Sequence, residues 1–273
     1  TIENNLQFYH NPSSTYKDGI YVNRLITSAR NTCAKFLHTT YDRIFFTPSG
    51  SASNTLAISG YDKYNLTDIF YLPTMHKSAL MVLNNVINCK HEIPIDNYGK
   101  INIEEFELDL KEAVQPPFVV VEHANSEIGT IQNLKELSNL THKYNGIIYA
   151  DCTGSIATIP CDIEYLGLDM ASFSGHKIGA LKGISVLYKS PNIQLSPLIY
   201  GSQECGLIGG TENVLGILYL EAAIKEYIDN DLYSSISTSA SQHVWSYIEK
   251  NISDIYLIGE PIGCARLPHN LFV

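Results

Sequence analysis

Gly146-Ile147-Ile148-Tyr149-Ala150-Asp151 and, shortly after it, Met170-Ala171-Ser172-Phe173-Ser174-Gly175-His176-Lys177 form the stretch whose reading decides the fold. The first run is short, apolar and β-branched, so it reads as a buried strand with Asp151 at its end. Met170 to Phe173 reads the same way and delivers a hydroxyl, a glycine, an imidazole and an amine. Ligands of open parallel sheets bind beyond the carboxyl ends of the strands. Two such ends then face one crevice.

Outward from this stretch, the same alternation recurs. A helix is predicted over 22–37 from apolar residues at Val22, Leu25, Ile26, Ala29, Cys33 and Phe36. A strand over 43–47 runs into Pro48-Ser49-Gly50-Ser51-Ala52-Ser53-Asn54, and a helix opens at Leu56. That small-residue turn suits either a simple helix cap or an anion held by free backbone N–H groups. Asp68 to Leu72 reads as a strand, followed by His76 and a helix to Val86. Then come a strand near 92–95, an acidic helix over 102–113, and Phe118 to Glu122, the most strand-like run of all. It leads to Asn125-Ser126-Glu127-Ile128-Gly129 and a helix over 133–143. After the deciding stretch follow a strand over 183–188, a glycine-rich loop from Gly201 to Asn213, and helices to about Ile228 and over 239–249. The ending, Leu267 to Val273, reads as the middle of a strand. Strands alternating with helices imply an α/β fold, a mostly parallel sheet covered by helices.

Composition narrows the function. The chain has 273 residues, 45% hydrophobic and 17% charged, with a formal charge of -10 and no basic cluster. That argues against a nucleic-acid or anionic-membrane partner, and no apolar run reaches bilayer length. The six cysteines contain no Cys-x-x-Cys pair and the nine histidines no ligand spacing. Neither a disulfide framework nor a metal site is expected, and a reducing, cytoplasmic compartment is the default.

Strand ends carry Ser51, His76, Asn125, Asp151 and Lys177. Lys177 is either a surface lysine beside a turn or a Schiff-base lysine, which requires partial desolvation beside a cofactor carbonyl. Pyridoxal phosphate would further require a partner for its ring nitrogen, which Asp151 can be, and an anion cradle. His76 is read as a cap or, beside a planar cofactor, as a stacking group.

The chain resembles the cysteine desulfurase family of class V, fold-type I pyridoxal-phosphate enzymes. Ser172-Phe173-Ser174-Gly175-His176-Lys177, Asn125-Ser126-Glu127-Ile128-Gly129 and Gly210-Thr211-Glu212-Asn213-Val214 carry the resemblance, which spans nearly the whole chain. It implies a seven-stranded large domain over 12–212 and an incomplete small α+β domain over 213–273, with 1–11 packing beside it. It implies pyridoxal 5'-phosphate as cofactor, with Lys177 as Schiff-base lysine and proton shuttle, Asp151 at the ring nitrogen, and His76 stacked on the ring as an acid/base. Asn125 would lie near the ring oxygen and the substrate carboxylate. Gly50, Ser51, Ser174 and His176 would hold the phosphate, with Thr211 reaching that of a second subunit in a homodimer. The implied reaction takes L-cysteine to L-alanine and passes sulfur to a protein persulfide and an acceptor protein, as in iron–sulfur cluster assembly. Another class V reaction, aminotransferase or lyase, and an inactive homologue acting as a binding subunit are the alternatives. Three departures stand out. Gly154 occupies the place of the family's glutamine, and Cys205 and Ile208 stand where its loop carries arginines. The family's nucleophilic cysteine lies past Leu271, beyond the last residue, and the N-terminal Ala-Thr-Thr-Pro segment is missing. Cys205 is the one residue weighed as a replacement nucleophile.

Overall fold

Phe118, Val119, Val120 and Val121 are fully buried, as a strand covered by helices on both faces requires. Each contributes about 1.5–3 kcal/mol of burial to the core. They form the middle of β4 (Pro117–Glu122) in the computed structural model, which describes residues 10–63, 65–232 and 238–273. β1 (Ile44–Thr47), β2 (Asp68–Tyr71), β3 (Cys89–Glu92), β5 (Ile147–Asp151), β6 (Met170–Ser174) and β7 (Ser185–Lys189) complete a seven-stranded sheet in the order β1-β7-β6-β5-β4-β2-β3. All neighbours are parallel except β7, which runs antiparallel to both β6 and β1. Because β7 is reversed, β1 and β6 point the same way, and Thr47, Ser185 and Ser174 stand in one cross-strand row. The carboxyl ends of the other six strands therefore share one edge.

The helices are α1 (Lys17–Phe36), α2 (Gly50–Asp62), α3 (Lys77–Leu83), α4 (Ile103–Glu112), α5 (Leu134–Lys143), α6 (Ile163–Leu166), α7 (Val214–Asp229) and α8 (Ser239–Asn251). α1 buries Val22, Ile26, Ala29 and Cys33 and packs against α7, whose Val214, Ile217, Leu220 and Ile224 join the same core. Side chains of Ser49, Asn102, Asn133, Asp162 and Asn213 accept first-turn N–H groups, so polar residues fix where these helices begin.

Several boundaries differ from the sequence expectation. α2 opens at Gly50 rather than Leu56, because Ser49 accepts the Ala52 N–H at 3.1 Å and starts the helix inside the small-residue turn. α1 begins at Lys17, its first turn too polar to show apolar rhythm, and α3 stops at Leu83 rather than Val86. β3 lies at Cys89–Glu92 and not near 92–95; all four of its side chains are exposed. Residues 267–273 form no strand. The buried Arg266 guanidinium instead donates to the carbonyls of Ile258, Glu260 and Asn270, and the Asn270 amide donates to Ser126 and Glu127. The segment is thereby latched onto the loop after β4.

Candidate functional site

The shared edge opens into a cavity of about 510 Å³. Every element around it arrives by the strand-end geometry. β5 contributes Asp151; β4 contributes Glu122; the turn after β6 contributes His176 and Lys177; the start of α2 contributes Gly50 and Ser51; the start of α3 contributes His76. Ser174 also lines it. These eight side chains or backbones meet from five separate stretches of sequence.

Asp151 is buried, and its carboxylate accepts from Asn54 Nδ2 at 3.0 Å and from the Thr153 N–H at 2.9 Å. Among the described residues it has no cationic partner. Asn54 extends the network: its amide also donates to Ser78 Oγ at 2.9 Å, and its oxygen accepts from Tyr149, whose hydroxyl is 2.6 Å from Ser172 Oγ. Ser78 in turn is 2.8 Å from His76 Nδ1. Because His76 Nδ1 also accepts the Ser78 backbone N–H, the neutral ring carries its proton on Nε2. His76 is thus both the cap of α3 and a wall of the cavity. A continuous hydrogen-bonded path runs from it to Asp151.

Across the cavity, the Gly50 N–H donates to Ser174 Oγ at 3.1 Å, and Ser185 donates to the same oxygen at 3.1 Å. The Ser174 hydroxyl proton remains to be given to a ligand. A Cβ on Gly50 would stand 2.6 Å from Ser174 Oγ, so only glycine lets the helix start come this close. The first turn of a 13-residue helix presents outward N–H groups and a positive dipole end here. Lys177 and Lys182 add cationic character, and His176 a further imidazole group. Partial burial, with the charges of Lys177 and Lys182, holds the His176 pKa below its usual value. Lys177 itself is solvent-exposed, which corrects the expectation of a partly desolvated amine.

Asn125, Thr211 and Cys205 do not line this cavity. Asn125 does not line the cavity: its amide donates to Thr74 O and Glu122 Oε1, and its oxygen accepts from Glu127 and Ile128 N–H groups. With both donors and both lone pairs used, it shapes the loop instead of facing a ligand. Thr211 is exposed on a second cavity of about 210 Å³. Cys205 lines neither cavity; it follows Glu204 in a turn where both have positive φ. Among the described residues no cysteine lines the larger cavity.

Sequence reasoning passed over Glu122, Asn54, Ser78 and Thr153. Glu122 was visible as a carboxylate ending the strongest strand. It is buried, accepts from Thr74 and Asn125 at 3.1 and 2.8 Å, and its pKa is pushed up to about 7, first by burial and then by the Asp151 charge. Asn54, Ser78 and Thr153 carry no sequence signal of their own.

The donor set fits pyridoxal phosphate. Thr153 Oγ1 is buried at the cavity without a hydrogen-bond partner, 3.5 Å from where a Gly50 Cβ would stand. An anion cradled by Gly50, Ser51 and Ser174 would satisfy it. Asp151 offers a lone carboxylate to a protonated ring nitrogen, and Lys177 an amine on the same cavity wall. Gly154 lines the cavity as well, where a Cβ would meet Ala124 O at 2.4 Å, so a glutamine there is sterically excluded.

Comparisons with known proteins give the family. The family model "Aminotransferase class-V" matches residues 2–264. A cysteine desulfurase IscS of Dictyoglomus turgidum is 33% identical, with 96% of this chain and 68% of that protein covered. A NifS-like protein from Rickettsia africae superposes with a TM-score of 0.89 at 31% identity, covering 98% of this chain and 74% of that one. The structure of SspA in complex with cysteine superposes with a TM-score of 0.78 at 26% identity, covering 90% of this chain and 71% of its own. The chain spans about two thirds of the length of such relatives.

Proposed function

The chain belongs to the cysteine desulfurase family of class-V aminotransferases, and on that premise we propose that it binds pyridoxal 5'-phosphate and acts on L-cysteine. The observation that carries this reading is the meeting of Lys177, Asp151 and the Gly50–Ser174 anion cradle in one cavity. The cofactor, when bound, supplies an electron sink for the substrate carbon. Lys177 would tether it and move the proton at that carbon; Asp151 would hold the ring nitrogen protonated through its charge. His76, oriented by Ser78, would stack on the ring and present Nε2–H toward the substrate. Gly50, Ser51, Ser174 and His176 would bind the phosphate.

In the proposed net reaction the cysteine C–S bond breaks, alanine leaves, and the sulfur ends as a persulfide on an accepting thiol. Cys205 lines neither cavity, which supports a sulfur-acceptor group that approaches the open side of the cavity. The bound cysteine in the SspA structure supports the substrate class. We propose a homodimer in which Thr211, away from Lys177's cavity, reaches the phosphate of the second subunit. The large domain would be 12–212, with 213–273 beginning a small one and α7 as its link to the core. No described helix is long and apolar enough to cross a membrane; the likeness to cysteine desulfurases supports the cytoplasmic setting and iron–sulfur role proposed here.

The test is the near-visible spectrum of the purified chain with added pyridoxal phosphate and then L-cysteine. The expected result is a protein-bound cofactor band that shifts with cysteine, and that borohydride abolishes while fixing the cofactor covalently to the chain; both are absent in Lys177→Ala with an unchanged circular dichroism spectrum. Covalent cofactor in Lys177→Ala would overturn the assignment.

A further inference from the structure

Behind the cavity wall, folding joins three residues whose spacing along the chain shows no metal motif. His123 follows β4, Cys152 follows β5, and Cys161 precedes α6; their relative exposures are 6%, 1% and 3%. One ligand atom from each lies within 4.8 Å of the others. The two sulfurs are 3.3 Å apart. Ser155, fully buried, donates its hydroxyl to Cys152 O at 3.1 Å and meets His123 Nδ1 at 3.0 Å. The imidazole is therefore held in place by an outer hydrogen bond, as metal-bound histidines commonly are.

We propose that His123, Cys152 and Cys161 bind one Zn²⁺ in the core beneath the candidate site, as two thiolates and a neutral imidazole, with one water as the fourth ligand. Two S–H bonds break, two Zn–S bonds form, and two protons pass to solvent. Charge selects a divalent ion, and the thiolate–imidazole donor set suits zinc. Two thiolates neutralise Zn²⁺, whereas Cu⁺ in the same set would leave a buried negative charge, which an apolar interior penalises. Distance favours a metal over a disulfide. Zn–S bonds of about 2.3 Å in a tetrahedral site put sulfurs roughly 3.8 Å apart, an opening of about 0.5 Å. A disulfide would need them near 2.05 Å, a closure of about 1.2 Å. The metal would pin the 152–161 segment directly after Asp151, and so steady that carboxylate.

The exposed thiols Cys89, Cys205 and Cys264 are first replaced by serine, so that only buried cysteines remain. The reduced, chelator-stripped chain is then given Zn²⁺ alone, and metal content is measured by mass spectrometry; Co²⁺ is added in parallel for its thiolate charge-transfer band. The expected result is one zinc per chain and a cobalt spectrum of two thiolates. Cys161→Val, close to the volume it replaces, and His123→Gln should each weaken binding at least tenfold while circular dichroism stays unchanged. Zinc retention equal to that of a Cys152→Ala/Cys161→Val double variant would overturn the site. So would a loss of two mass units on air oxidation in chain that holds no zinc, which would mark the pair as a disulfide. Cofactor binding is not read in any arm, so its failure leaves this test intact.

Discussion

At Gly154 the chain tolerates no side chain, since a Cβ would press on Ala124 O at 2.4 Å. Gly154→Ala is expected to lose about 3 kcal/mol in urea unfolding, the upper end of overpacking costs. Gly179→Ala is the control: its Cβ would meet nothing within 4 Å, and only its φ of +86° opposes it, costing about 1–2 kcal/mol. Equal losses would show that the close approach at 154 is not what excludes a side chain. The sequence displays this departure from the family glutamine but not its cause, which is a backbone oxygen thirty residues earlier in the chain. Asn125 teaches the same lesson in reverse. Its type and place at a strand end suggest a ligand contact, while its four hydrogen bonds, visible only in three dimensions, consume it within the loop.

Among the elements, α5 is fastened to the start of β5 by a titratable pair. His142 Nε2 is 2.8 Å from Asp169 Oδ2, and that same carboxylate oxygen accepts the Ile148 N–H. The hydrogen bond to Asp169 raises the His142 pKa above its ordinary value. A raised folded-state pKa adds stability that is complete below the unfolded value, near 6.5, and is lost as pH climbs through the folded value. His142→Gln should therefore cost most near pH 5.5 and least near pH 8.5. The His142 side chain is 42% exposed, so the difference should stay under about 1 kcal/mol. Thermal melts of both proteins across that range check it, and a gap that widens with pH would contradict the pairing. The legibility of elements follows the same physics of burial. β4, β5 and β6 are covered on both faces; β4 and β5 read as apolar runs ending in a carboxylate, and β6 as a short one interrupted by Ser172. β3 is an edge strand with four exposed side chains, and the nearby buried Ile93 drew the expectation downstream.

On the scale of the molecule, one ion pair joins distant parts of the chain. Arg30 on α1 makes two hydrogen bonds to Glu204, at 2.8 and 2.7 Å, and the same carboxylate accepts the Phe46 N–H of β1 at 2.8 Å. The Glu204 side chain is only 4% exposed. Arg30→Met should cost about 3–5 kcal/mol, the penalty for stranding a buried charge. Arg30→Met combined with Glu204→Gln should regain part of it in the same urea titration; additive losses would argue against the pair. The alternation of strands and helices made the parallel character of the sheet legible, but not the reversal of β7. That reversal follows from residues 175–184, a connection shorter than the dozen or more residues of a parallel crossover. It also has a temporal meaning. Ile44, Phe45 and Phe46 are buried in the finished protein, yet among the described residues the only strand that pairs with β1 is β7, roughly 140 residues later. At about 5–20 residues per second of synthesis, a nascent chain carries that apolar ribbon unpaired for about 7 to 30 s. Until Ser185–Lys189 emerges and pairs with it, that ribbon is the kind of exposed apolar edge from which nascent chains aggregate.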